Sequence, residues 1–286
     1  MTAVVLDGIV LGLAFGLLGV GLTLVYGLGG VLNLAYGAIS VLSAIVVSHV
    51  IADGVPTALA AAIGVLLGAA AGVLLDVTLM RAVYRQSGES KTLLGLLLTL
   101  GVAFVIGGLL NWREPLGALY INVSGEPIHI LGVAMSAGSV WASVIALGAF
   151  AILLAFFGAT TFGRGVRSVI QDETGARLVG ISPSLVRTVI FALSGALAGL
   201  VAVTRSMTAP LTVTDTHEGF DLTIFALIVA VVGGLGSVAG AFLAGVLLGI
   251  VYTVSAHYVG QYITTIVLLG AAALTILARP RGLLGR

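Results

Sequence analysis

Charge in this sequence falls mostly in the gaps between long apolar runs, and the few charged residues within the runs lie near their ends. The runs occupy residues 6–30, 34–52, 57–80, 92–110, 139–158, 185–207, 221–232, 238–254 and 260–278. Only 8 % of the 286 residues are charged and 59 % are hydrophobic, against about 25 % charged in an ordinary soluble domain. A soluble chain of this length could not cover its surface with so few charges. About 20 apolar residues cross a bilayer core as a helix, with every backbone polar group satisfied inside the segment. The pattern therefore predicts an all-α polytopic membrane protein, with residues 1–286 forming a single transmembrane domain.

The runs predict eight to nine membrane helices, one or two of them glycine-broken or re-entrant. Residues 221–232 are too short to cross alone at about 1.5 Å per residue. They lead into Gly233-Gly234-Leu235-Gly236-Ser237, and a second Gly29-Gly30 pair precedes Asn33. Irregular backbone at membrane depth survives only where it lines a cavity or is packed in protein. Tyr26, Asn33, Tyr36, Gly233, Gly234, Gly236 and Ser237 are thus candidates to line a solute path. Helix packing alone would account for them equally well. Glycines four apart at Gly8, Gly12 and Gly16, and at Gly64, Gly68 and Gly72, predict close-packing seams, as do Gly195 and Gly199.

The basic residues set an expected orientation. With alternate loops assigned to opposite sides, Arg81, Arg85, Lys91, Arg164, Arg167, Arg177, Arg187, Arg279, Arg281 and Arg286 share the side of the C-terminal tail. Arg113 and Arg205 fall on the other. Cytoplasmic loops carry the excess of Lys and Arg, so the tail is expected in the cytoplasm and the N-terminus outside. No basic residue precedes the first run, so a retained span is expected there and not a cleaved signal.

Several chemistries lack their residues. The sole lysine is Lys91 and no P-loop motif occurs, so the chain has no P-loop site for ATP. There is no cysteine, and His49, His129, His217 and His257 are scattered singly, so neither a metal site nor a catalytic site is expected. Gly234-x-Gly236 lies in an apolar run with no strand before it, which rules out a dinucleotide fingerprint. Asp76 lies about one turn from the inner end of the third run, and is expected to reach the interface or pair with Arg81.

One polar stretch stands apart. Residues 160–187 hold Gly163, Arg164, Arg167, Asp172, Glu173, Arg177, Gly180 and Ile181. Val166, Val169 and Ile170 fall at i, i+3 and i+4, one apolar face of a short helix. Ser182-Pro183 then reads as an N-cap followed by proline at the first helical position. A solvated loop and a docking surface for a soluble partner are both compatible with this pattern.

Four blocks resemble the permease subunits of branched-chain amino acid ABC importers, of the shorter, first permease type. They are Gly21 to Gly27 with Asn33-Leu-Ala-Tyr36-Gly37, the segment Gly163-Arg164-x-x-Arg167 with Asp172 and Gly180-Ile181, Gly233-Gly234-Leu-Gly236-Ser237-x-x-Gly240-Ala241, and the tail Pro280-x-Gly282-Leu283-Leu284-Gly285. They span nearly the whole chain. Tyr36 and Ala38 depart from the usual pattern, and permeases for urea and short amides are built on the same plan.

The resemblance implies a transporter subunit that is not itself an enzyme and has no cofactor of its own. Partner subunits would use ATP. It implies a second related permease, two ABC ATPase subunits, an extracytoplasmic solute-binding protein and an amino-acid substrate, in a prokaryotic cell membrane and with no nucleic acid. Gly163, Arg164, Arg167, Asp172, Glu173, Gly180 and Ile181 would then belong to the ATPase-coupling segment. A passive channel or an ion-coupled secondary transporter are readings of a different class.

Overall fold

The computed structural model describes residues 1–86, 88–114, 117–130, 132–212, 218–279 and 282–284. His217, Pro280, Arg281, Gly285 and Arg286 lie outside the described residues. Helices dominate. α1 (Thr2–Gly29), α2 (Tyr36–Ala52) and α3 (Thr57–Leu75) come first. A π-helical turn (Asp76–Met80) and the three-residue α4 (Arg81–Val83) extend α3 before α5 (Gly88–Arg113). α6 (Ala137–Ala159), α7 (Thr161–Gln171), α8 (Glu173–Leu178) and α9 (Pro183–Ser206) follow. α10 (Glu218–Gly233), α11 (Val238–Val259) and α12 (Gln261–Ala278) complete the fold. Among the described residues six helices are long and apolar enough to cross a bilayer, and α2 is a shorter apolar one. The chain is an all-α polytopic membrane protein.

Two glycine seams organise the bundle. In the first, Gly8, Gly12 and Gly16 of α1 lie on Gly245, Gly249 and Phe242 of α11, so these helices run antiparallel. In the second, Gly64, Gly68 and Gly72 of α3 meet Gly195 and Gly199 of α9, again antiparallel. At both seams a Cβ would collide with facing backbone, except at Gly64, where it would meet the Val47 side chain of α2, so backbones touch where side chains normally intervene. α1 is the buried centre, with Leu17, Val20, Leu22 and Val25 fully enclosed. α10 lies parallel to it, with Phe15 stacked on Phe225 at 5.0 Å and Gly19 against Val229.

Short strands close one end of the bundle. β1 (Ala118–Leu119) pairs antiparallel with β4 (Leu211–Thr212), and β2 (Ile128–Ile130) with β3 (Val133–Met135). β2 is Ile128-His129-Ile130, with a polar residue between two apolar ones. Ser48 of α2 donates to the Ala118 carbonyl at 3.0 Å, tying α2 to this cap.

Candidate functional site

The first glycine pair ends α1. Gly30 takes a left-handed conformation (φ 64°) and its amide donates to Tyr26 O at 2.8 Å. The chain then turns back without helical structure as far as Ala35, yet Val31, Asn33 and Ala35 are buried. Buried backbone groups need partners, and here three side chains supply them. Thr99 Oγ1 of α5 accepts the Leu34 amide at 3.1 Å, and Asn33 Oδ1 accepts the Ala35 amide at 3.0 Å. Thr223 Oγ1 of α10 accepts the Gly37 amide at 3.0 Å, while its own proton faces Gly219 O at 2.9 Å.

Tyr36 opens α2 and is fully buried. Its ring fills the space left by Gly21, and its hydroxyl reaches Leu17 O at 3.5 Å. Leu17 lies twelve residues before Gly29, about 18 Å along a helix. α2 therefore starts deep in the bundle, well back from the end of α1. Its first turn meets the first turn of α10, where Gly37 packs on Gly219 and Thr223.

The second glycine break lies at the other end of α10. Gly234 (φ 101°) and Gly236 (φ 92°) turn the chain, and Ser237 caps α11 by accepting the Gly240 amide at 3.1 Å. Leu283 and Leu284 donate amides to Val232 O (2.9 Å) and Gly233 O (3.2 Å). Gly282 packs against Gly234. A Cβ on Gly27 would stand 3.5 Å from the Gly236 Cα. Thus Gly233, Gly234, Gly236 and Ser237 gather with the half-buried end of α1 around Tyr26. Asn33 and Tyr36 lie deeper, beside Thr99 and Thr223.

The polar stretch forms two capped helices. Thr160 accepts the Gly163 amide at 3.1 Å to start α7. Asp172 leaves the helical region (φ −154°, ψ 106°) and accepts the Thr174 amide at 2.9 Å to start α8. The break is therefore at Asp172, while Gly175 lies inside α8. A Cβ at 175 would stand 2.7 Å from the Asp172 carboxylate. Gly180 (φ 85°) turns the chain, Ile181 donates to Ala176 O at 2.9 Å, and Ser182 caps α9. Arg164 is exposed, whereas Arg167 donates to Phe157 O at 2.7 Å.

The apolar face expected on α7 turns largely inward. Val166 and Val169 are buried, because α7 packs on α6, α1 and α9. Ile170, Leu178 and Val179 are the residues left outside, at 51 %, 85 % and 75 % exposure.

Glu173 ties α8 to α9. It accepts from Arg177 at 2.6 Å and from Arg187 at 3.2 Å. Partial burial opposes its ionisation, but Arg187 and Arg177 outweigh that and hold the carboxyl below its ordinary range. Arg187 also lies 4.4 Å from the Tyr84 ring centre, with Lys91 at 5.0 Å. The Tyr84 ring in turn rests on Gly29, at the end of α1.

Asp76 departs from its expectation. It is buried and accepts the Thr188 hydroxyl at 2.5 Å, with no ion pair to Arg81 and no exposure at an interface. Thr99, Thr223, Tyr84 and Thr188 were not singled out from sequence. The available signal for Thr99 and Thr223 was a hydroxyl within an apolar run.

Comparison with known proteins places this geometry. Residues 4–277 match the family described as branched-chain amino acid transport system / permease component. The chain is 27 % identical to the high-affinity branched-chain amino acid transport system permease protein BraD of Pseudomonas aeruginosa, over 98 % of this chain and 94 % of that one. LivH of Salmonella typhimurium gives the same identity and coverage. LivM of the same organism is 31 % identical over 126 residues, 43 % of this chain and 28 % of that one. The chain belongs to the branched-chain amino acid transport system permease family.

Proposed function

We propose that this chain is the permease subunit of an ATP-driven importer that carries branched-chain amino acids into the cytoplasm. The family match and the names of its relatives support the class and the solute. ATP binding and hydrolysis belong to two separate ABC ATPase subunits, so the chain needs no cofactor. The likeness to both LivH and LivM supports pairing with a second, related permease. A solute-binding protein delivers the amino acid from outside a prokaryotic cell membrane.

The arrangement we infer has nine crossings, with the N-terminus outside and the tail inside. Residues 31–35 and α2 together make one of them. The antiparallel α1–α11 and α3–α9 pairs and the one-sided basic residues support it.

The observation that carries the coupling role is the surface of α7–α8. These helices are capped at both starts and tied to the bundle by Arg167 and Glu173, and they leave Ile170, Leu178 and Val179 exposed. A rigid segment with exposed apolar residues suits docking by a soluble motor. Motion applied there reaches α9 through Glu173–Arg187 and the end of α1 through Tyr84. Inside the bundle, the first turns of α2 and α10 meet at Gly37 and Gly219. Two helix N-termini favour the carboxylate of an amino acid beside them. Asn33, Tyr36 and Thr223 keep that junction in shape, while Tyr26 and the Gly233–Ser237 turn border its inner end.

Leu178→Asp with Val179→Asp tests the reading in the assembled importer. The ATPase subunits should fail to co-purify and solute-stimulated ATP hydrolysis should disappear, with both permeases still in the membrane. Unchanged hydrolysis and uptake would reject the docking role. Uptake by the permease without ATPase subunits, collapsed by an uncoupler, would reject the class.

A further inference from the structure

Four guanidiniums from two separate stretches of chain converge on one cavity of about 260 Å³. Arg81 and Arg85 come from α4 and the turn after it, and Arg177 and Arg187 from α8 and α9, with Tyr84 and Ser184 completing the wall. The acids nearby do not balance them. Glu173 is taken up by Arg177 and Arg187. Asp76 also lines the cavity, but its carboxylate is buried and bonded to Thr188. Among the described residues Arg81 and Arg85 form no ion pair. Among the described residues that line it, four arginines thus outnumber the single carboxylate of Asp76, and the concavity keeps an excess of positive charge.

Its position narrows the ligand. Arg81 is the first basic residue after the apolar stretch that begins at Thr57. Along that stretch Leu66, Leu74 and Val77 are exposed on the outside of the bundle. The cavity thus lies where an apolar, lipid-facing helix gives way to charge, the level of phospholipid headgroups. Planar guanidiniums match phosphate oxygens two at a time, and basic pockets between membrane helices suit anionic headgroups. Ser184, in the first turn of α9, adds a hydroxyl.

We propose that this cavity binds the phosphodiester of an anionic phospholipid, with Arg81 and Arg85 as its main ligands. The acyl chains lie along the exposed side of α3. The bound lipid bridges the α3–α4 corner to α8–α9, so anionic lipid stiffens the segment that Glu173 and Arg187 hold. The binding itself does not depend on the transport role.

The test uses the full-length chain purified in detergent. Phosphatidylglycerol should raise its melting temperature, and phosphatidylcholine and inorganic phosphate should not. Arg81→Gln with Arg85→Gln should weaken the phosphatidylglycerol response roughly thirtyfold in concentration, from about a five- to sixfold electrostatic contribution per basic residue at an anionic surface. Arg164→Gln, outside the cavity, should leave it unchanged. Inorganic phosphate acting as well as the lipid, through the same arginines, would make the site one for free phosphate and overturn the lipid assignment. An equal lipid response in the double variant would also overturn it. Should the double variant not fold, a photoreactive phosphatidylglycerol on the unaltered chain decides. It should label residues around 81–85 and 177–187, and labelling only elsewhere rejects the site. Absence of any lipid response, with the double variant losing its ATPase subunits instead, would assign the cavity to that soluble partner and reject the lipid.

Discussion

The Thr223 hydroxyl accepts the Gly37 amide at 3.0 Å, joining the first turns of α10 and α2 across 186 residues of sequence. Both groups are buried. The bond lets a non-helical stretch sit deep in an apolar bundle without an orphaned amide.

That relationship makes the first prediction. Thr223→Val keeps the shape and removes the acceptor, which should lower stability by about 1–3 kcal/mol, the cost of a buried donor left without a partner. Thr223→Ser should recover most of it. Thermal unfolding of the purified protein reads both, and a Val variant as stable as the parent would refute the account.

The glycine seams predict opposite effects at two kinds of glycine. Gly195→Ala puts a methyl into the backbone of Gly68 and should cost about 1–3 kcal/mol through forced separation of α3 and α9. Gly108 in α5 has nothing within 4 Å of a Cβ. Gly108→Ala should be neutral, or stabilising by up to about 1 kcal/mol through helix propensity. Melting temperatures that move alike in the two variants would contradict the seam.

Asp172 caps α8, so Asp172→Ala should remove about 1 kcal/mol of local stability. Amide hydrogen exchange across residues 173–178 should speed up accordingly, and Asp172→Asn should restore protection. Equal exchange in all three proteins would deny the cap its role.

Acid should loosen the same segment. The Glu173 carboxyl lies below its ordinary range in the folded chain, so its contribution is present above the free carboxylate value and is lost as pH falls through the depressed one. Its side chain is 42 % exposed, so the effect is small and weakened by salt. Protection of the α8 amides, corrected for the intrinsic pH dependence of exchange, should fall at acid pH in the parent and stay flatter in Glu173→Gln. Identical pH profiles would exclude Glu173 as the titrating group.

Much of the candidate site was legible because its signals are local. Ser182-Pro183 starts a helix by side-chain and backbone geometry that needs no tertiary partner, and the structure places the cap there. The i, i+4 spacing of Gly64, Gly68 and Gly72 marks one face whatever that face meets. The boundary between α7 and α8 is harder to read. Gly175 is the residue in this stretch with the lowest helix preference, yet the helix is interrupted at Asp172, whose carboxylate caps the next turn.

Val166 and Val169 show the same limit from another side. Their spacing defined an apolar stripe, but a stripe carries no information on whether solvent, lipid, partner or its own chain covers it. Here α1, α6 and α9 cover it, and Leu178 and Val179 remain outside.

By itself the sequence determined the membrane class, the glycine faces, the Ser182 cap and the one polar segment, because hydropathy, spacing and capping act over a few residues. Only the tertiary structure decided which glycine face meets which, that Thr99 and Thr223 complete the buried break, and that Arg81, Arg85, Arg177 and Arg187 share a cavity. Those relations depend on groups far apart in sequence meeting in space, such as Leu34 with Thr99, 65 residues apart, and Gly37 with Thr223, 186 apart, and no local preference along a chain encodes such a meeting.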